Sequence, residues 1–284
     1  MTAQIFKMPS FMVKGRIEIN KALQQLSPYA ECAELHEAIE YALFPGGKRL
    51  RPILAITCGK IFDEPGEFLL QTACAVEMLH TASIIFDDLV YMDNTKLRRG
   101  KPALHVQFSS STAILAAHSL VSLAFEICSG LDLPGDLRAI IIGRLSRAVG
   151  PFGMAAGQLD DLKGSAGVRC VEALCIAKKK TVGLFEAACY SSSRVQGADE
   201  SQATLLAEFG SALGMAFQIA DDLHDFESED DLERSVNVVA ACGKPEADKA
   251  FFENIRHARK IAAHFGSGQL QKIITLVENY AGAF

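Results

Sequence analysis

Residues 80–102 read "HTASIIFDDLVYMDNTKLRRGKP". An apolar run ends in Phe86. Three acids follow, Asp87, Asp88 and Asp93, and then four bases, Lys96, Arg98, Arg99 and Lys101. The preceding "QTACAVEML" is also apolar and helix-like, whereas Gly100 and Pro102 stop a helix. The stretch therefore reads as a long apolar helix closed by charge. Asp87 and Asp93 are six residues apart, so an unbroken helix points them about 120° away from each other. If both serve one site, the helix ends or bulges near Tyr91.

The rest of the chain repeats the helical pattern. "RIEINKALQQL" and "ECAELHEAIEYALF" place apolar residues at three- and four-residue spacing. Alternating β-branched runs are few and Asn-Gly hairpin turns are absent. Breakers at "FPGGKRLRP", "RRGKP", "LDLPGD", "LKGSAG" and "QGADES" mark long helical segments between them. The expectation is one all-α domain over residues 1–284, a bundle of about ten helices. The apolar run at 112–127 is short for a membrane span, and predicts a helix buried on nearly all sides. The net charge of −6 disfavours nucleic acid and anionic membrane as partners. No signal peptide is read at the N-terminus, and the eight scattered cysteines form no CxxC pair. They are expected to be buried reduced thiols in a cytoplasmic protein.

A second acidic cluster lies in "AFQIADDLHDF" (216–226), with Asp221 and Asp225 one helical turn apart and Asp222 beside them. It too ends an apolar run, "GSALGMAFQIA". Clustered carboxylates repel, and a hard cation such as Mg²⁺, which takes oxygen ligands and shares them with phosphates, relieves that repulsion. A third element, "PGGKRLRP" (45–52), offers Lys48, Arg49 and Arg51 behind two glycines at a predicted helix start, a natural anion site. Arg98 and Arg99 supply guanidinium forks suited to diphosphate oxygens.

In "GGKRLRP", "DDLVYMD" followed by "LRRGKP", "KKKT" (178–181) and "FQIADD" with Asp225, the sequence resembles the trans-isoprenyl diphosphate synthases. The likeness runs from about residue 35 to residue 226. It implies an all-α bundle of the isoprenoid synthase type around a central cavity. By position, Lys48, Arg51, His80 and Arg99 look like ligands of isopentenyl diphosphate. Asp87 and Asp93, with Asp88, look like Mg²⁺ ligands for an allylic diphosphate. Arg98 and Lys180 resemble contacts to the same group, and Thr181 and Gln218 lie in matching motifs. Asp221, Asp222 and Asp225 resemble the second metal anchor, with Asp160 and Asp161 as further candidates. The resemblance implies about three Mg²⁺ ions and a homodimer, and no membrane span is expected.

It also implies the chemistry. An allylic diphosphate ionises, metals and arginines stabilise the departing anion, and the double bond of isopentenyl diphosphate attacks. The leaving diphosphate takes the proton. The positions four and five before Asp87 are the small Ser83 and Ala82, where family members stopping at fifteen carbons carry an aromatic. This points to a twenty-carbon geranylgeranyl product. A farnesyl diphosphate synthase and a catalytically silent regulatory subunit are the alternatives. Beyond Asp225 the likeness thins: an acidic stretch (227–233) and a lone Arg234 stand where relatives carry a Gly/Lys-rich flap.

Overall fold

The computed structural model describes residues 8–27, 32–63, 66–228 and 235–282, with the side chains of 227–228 left out. In chain order the helices begin with α1 (Ser10–Leu26), α2 (Ala33–Leu43), α3 (Leu50–Gly59) and α4 (Glu67–Asp87). A two-residue hairpin, β1 (Leu97–Arg98) and β2 (Lys101–Pro102), precedes α5 (Leu104–Gln107), α6 (Ser110–Ser129), α7 (Gly135–Val149) and α8 (Met154–Asp161). Next come α9 (Cys170–Ala177), a single π turn at Lys178–Val182, α10 (Gly183–Val195) and α11 (Glu200–Ser228). The chain continues through α12 (Val238–Cys242), α13 (Lys244–His264) and α14 (Gly268–Tyr280).

Helix α4 is apolar on all sides because it is surrounded: it packs against α1, α2, α3, α6 and α10. Helix α10 in turn packs against α3, α7 and α11. The main apolar core cluster runs from Met12 in α1 to Ala281 just past α14, and Tyr190, Ala198 and Ala203 form a small second one. Burying them supplies the main stabilisation. The sequence reading missed the β1–β2 hairpin. Its turn uses Arg99 and Gly100, at φ 54° and 76°. Two positive φ values match the right-handed twist of the strands, and Arg-Gly is a weaker signal for that than Asn-Gly.

Two expectations are corrected. First, α6 is not buried on nearly all sides. Ala113, Ala116, Ala117 and Leu120 are buried, but Ile114 and Leu115 are 44% and 57% exposed. One face packs on α4 and α2, with α5 and α7 also against the helix, and among the described residues the other face carries exposed side chains. By length and composition alone α4, α6 and α11 could each cross a membrane; α4 buries 67% of its apolar window and α6 only 33%. Second, the cysteines are not all reduced and buried. Cys170, at the start of α9, and Cys242, at the end of α12, form a disulfide with Cα atoms 4.4 Å apart. Packing of α12 on α9 brings together residues 72 positions apart, which no local pattern announces. Cys32 and Cys175 are free and exposed, while Cys58, Cys74, Cys128 and Cys189 are buried.

Candidate active site

Helix α4 ends at Asp87, earlier than the expected break near Tyr91. The backbone N–H of Asp93 donates to the Asp87 carbonyl at 2.9 Å, and those of Met92 and Asn94 donate to the Leu89 carbonyl at 2.9 and 3.0 Å. The turn folds Asp93 back toward Asp87, undoing the splay that an ideal helix imposes. Desolvation, reinforced by the neighbouring Asp93 and Asp88, pushes the Asp87 carboxyl up to about 7; Lys180 and Arg98 oppose the shift. Asp93 is raised as well, chiefly by desolvation. The negative end of the α4 dipole adds to the local demand for a cation. Asp88 has another role. It is buried, and its oxygens accept Arg98 Nε at 3.0 and 3.2 Å and also Arg98 Nη2. The hairpin presents Arg98 for this pairing, and the fork fixes its guanidinium plane.

The π turn between α9 and α10 aims two side chains. π turns shift helix register by one residue and are frequent at functional sites. A Cβ on Gly157 would meet Lys180 N at 2.5 Å, so only glycine lets α8 pack this closely on the turn. Lys180 Nζ donates to Asp161 Oδ2 at 2.6 Å, and Asp161 Oδ1 accepts the Val236 N–H at 2.7 Å. Burial lowers the Lys180 pKa, but Asp161, Asp87 and Asp93 outweigh it and hold the ammonium above its ordinary value. The next residue, Thr181, donates to Gln218 Oε1 at 2.6 Å, and Gln218 Nε2 donates to Asp222 Oδ1 at 2.6 Å. The π turn therefore links the two acidic clusters.

In the second cluster Asp222 is buried and held by its neighbours. Its Oδ2 accepts the Val238 N–H at 2.7 Å, and Asn237 Nδ2 donates to its backbone carbonyl at 2.6 Å. Desolvation pushes its carboxyl up to about 7, against the pull of the Val238 N–H and Gln218. Asp221 is also raised, by desolvation first, with Tyr280 and Lys48 pulling it back. Asp225 is exposed, one turn further along α11. Among the described residues no three His, Cys, Asp or Glu side chains form a ready cation cage. The pairs still fit a hard cation. Asp87 with Asp93 and Asp221 with Asp225 offer only oxygens and repel each other, and Mg²⁺ commonly takes one or two carboxylates and completes its shell from phosphates and water. Asp88 and Asp222, expected among the ligands, already have protein partners. Asp160 lies at the surface, paired with Lys163 at 2.7 Å and Lys179 at 3.0 Å.

The basic motif splits into an anchor and a site. Arg49 is fully buried and donates to Asn20 Oδ1 at 3.0 Å, to Glu77 Oε1 at 2.6 Å and to the Leu43 carbonyl. It pins the loop that precedes α3. Gly46, at φ 70°, is required there, because a Cβ would overlap the Arg49 guanidinium at 2.2 Å. Arg51 Nη1 lies 3.1 Å from His80 Nε2, and its guanidinium lies 4.5 Å from the centroid of the Phe185 ring. Its buried Nε has no partner among the described residues. Desolvation lowers Arg51 to about 10. It also drives His80 well below its ordinary value, helped by Arg51, Arg99, Arg49 and Arg98. A neutral His80 accepts from Arg51 at Nε2 and carries its proton on Nδ1. Arg99, with Gly46, Arg98 and Lys101, lines the adjoining pocket. Lys48 is exposed, with Nζ 3.9 Å from the Tyr280 ring centroid.

Beneath Asp87 opens an apolar cavity of about 540 Å³. Ser83 and Leu79 line it one and two turns below Asp87, with Ala82 beside them, and Val121, Val149 and Met154 form the opposite wall. The buried amide of Gln158 also lines it, with neither its oxygen nor its nitrogen partnered among the described residues. Sequence reasoning missed Gln158, Asn237 and Tyr280. Asn237 carried a signal, an N-cap residue ahead of "VVAAC", and Gln158 sits beside the noted Asp160. The acidic stretch at 227–233 and Arg234 fall outside the described side chains.

The polyprenyl synthetase family matches residues 32–237. Geranylgeranyl pyrophosphate synthase 4 of Arabidopsis thaliana is 33% identical over 287 residues, covering 95% of this chain and 77% of its own. Farnesyl diphosphate synthase of Geobacillus stearothermophilus is 39% identical over 203 residues, 70% of this chain and 68% of its own. The solved structure of an FPP/GFPP synthase from Zymomonas mobilis superposes with a TM-score of 0.86 at 28% identity, covering 96% of this chain and 98% of that one.

Proposed function

The chain belongs to the polyprenyl synthetase family and is a trans-prenyltransferase, and from that premise we propose that it joins isopentenyl diphosphate head-to-tail to an allylic diphosphate and releases geranylgeranyl diphosphate. One observation carries the reading: an apolar cavity opens beneath Asp87, and Lys180 and Thr181 of the π turn, with Gln218, connect the first acidic cluster to Asp222 of the second. Asp87, Asp93, Asp221 and Asp225 are the residues that would hold Mg²⁺. Bound there, Mg²⁺ neutralises diphosphate oxygens as charge develops on them.

The protein's own groups do the rest. Lys180 and Arg98, held by Asp161 and Asp88, bind the allylic diphosphate and stabilise it as it departs. Lys48, Arg51, Arg99 and neutral His80 receive the second diphosphate, whose oxygens satisfy the open Arg51 Nε. The cavity walls exclude water from the cation and accept the growing tail. The small Ala82 and Ser83 leave room for twenty carbons. Relatives named as geranylgeranyl synthases favour that length, and the Geobacillus relative supports fifteen carbons as the second reading.

The open face of α6, with Ile114 and Leu115, suits a second copy of the chain, so a homodimer is part of the proposal. Labelled isopentenyl diphosphate, incubated with dimethylallyl, geranyl or farnesyl diphosphate with and without Mg²⁺, tests it. Mg²⁺-dependent label in a twenty-carbon product supports the reading. A dominant fifteen-carbon product overturns the assigned length, and no elongation from any acceptor overturns the reaction.

A further inference from the structure

Tyr280, the last residue of α14, makes contacts that a core tyrosine does not need. Three residues on one stripe of α11 hold it, at spacings of four and three. The Phe217 ring stacks on it at 5.7 Å between centroids and 14° between planes. The Tyr280 phenol donates a hydrogen bond to Asp221. The His224 ring lies 4.8 Å away, and His224 Nε2 donates to the Tyr280 carbonyl at 2.6 Å. On the ring face sits Lys48 Nζ, 3.9 Å from the centroid, close enough for a cation–π contact. One side chain thus touches a carboxylate of the second acidic cluster and a lysine of the basic motif that precedes α3.

We infer that Tyr280 is a positioning residue: its hydroxyl aims the Asp221 carboxylate for cation binding while its ring holds Lys48 beside it. The inference rests on the cation-facing role given above to Asp221. A carboxylate at the rim of a cavity can rotate about two side-chain bonds. A charge-assisted hydrogen bond to one oxygen fixes that rotation and leaves the remaining lone pairs for a ligand. The stacked Phe217 holds the ring and the bond from His224 holds the Tyr280 carbonyl, so the aim is set by α11 and α14 together. Such outer partners of a cation ligand typically contribute 10- to 100-fold in metal affinity.

The test is calorimetric titration of MgCl₂ into the full-length protein in the presence of inorganic diphosphate. It compares wild type, Tyr280→Phe, Asp221→Asn and the double variant, with thermal unfolding in metal-free buffer alongside. Tyr280→Phe keeps the ring and its stacking. We expect it to weaken Mg²⁺-dependent diphosphate binding about tenfold, with a melting temperature within about 2 °C of wild type. In the Asp221→Asn background the same change should cost less than about twofold, because the hydroxyl acts through that carboxylate. Unchanged binding in Tyr280→Phe means ordinary packing and overturns the inference. Tighter binding means the phenol blocks the site and overturns it too. A wild type that binds no Mg²⁺–diphosphate overturns the functional reading as well, which separates the two failures.

Discussion

Lys180 donates a 2.6 Å hydrogen bond to Asp161, and the other Asp161 oxygen accepts the Val236 N–H at 2.7 Å. A single buried carboxylate therefore fixes the ammonium that faces Asp87 and Asp93 and also ties down the chain entering α12. Asp161→Asn keeps an acceptor for Val236 and removes the countercharge of Lys180. Breaking a buried pair costs about 3–5 kcal/mol, and the partial exposure of Lys180 lowers that to about 2 kcal/mol. We expect a lower melting temperature and a fall in kcat/KM of about 10- to 100-fold, from mispositioning of the allylic diphosphate. Steady-state kinetics and thermal unfolding check this, and unchanged kcat/KM would remove Asp161 from the site.

Product length depends on the wall one turn below Asp87. Ser83 lines the cavity and is only partly buried, so a larger side chain there grows into the cavity rather than into packed core. Ser83→Phe should shorten the major product by about one isoprene unit, with kcat reduced less than about tenfold because the diphosphate groups are untouched. Ala82→Phe acts in the same direction but is buried at 1% exposure and carries an overpacking cost of about 1–3 kcal/mol. Chromatography of dephosphorylated products decides. A parent-length product from Ser83→Phe would show that the tail takes another path.

His80 sets a stability limit on the acid side. Desolvation and the surrounding arginines hold its folded pKa well below the unfolded value of about 6.5. Above pH 6.5 neither state is protonated and the group contributes no slope. Below it the unfolded chain binds a proton that the folded one refuses, so stability falls, at up to about 1.4 kcal/mol per pH unit, until the folded pKa is reached. His80→Gln should flatten the difference between pH 5.0 and pH 7.5 in urea titrations. An identical slope in both proteins would mean that the imidazole charges freely in the folded state.

The Cys170–Cys242 bond ties α9, which leads into Lys180, to α12, whose first residues hold Asp222. Disulfides typically contribute about 2–4 kcal/mol of stability. Cys242→Ser and reduction of the wild type should lower the urea midpoint by similar amounts, and reductant should not move the variant further. Peptide mapping without reductant should recover the 170–242 pair. Eight titratable thiols in the unreduced protein would disprove the bond.

By itself the sequence determined the helical class and brought forward the charged residue types from which a site is proposed. Apolar periodicity, breakers and two runs of aspartate are local, and local pattern is what spacing along one helix can report. It also placed Asp87, Asp93, Lys180, Thr181, Gln218 and Asp221 in motifs that the fold then joined. Only the tertiary structure separated Arg49, a buried anchor with three acceptors, from Arg51, two residues on, whose Nε is open. Only it gave Asp88 to Arg98 and Asp222 to Val238, ended α4 at Asp87, opened one face of α6, paired Cys170 with Cys242, and set Tyr280 against Asp221. Most of these depend on a partner between ten and 72 positions away, or on which face a neighbouring helix covers. Hydrogen bonds and burial across such distances leave no period in the chain that makes them.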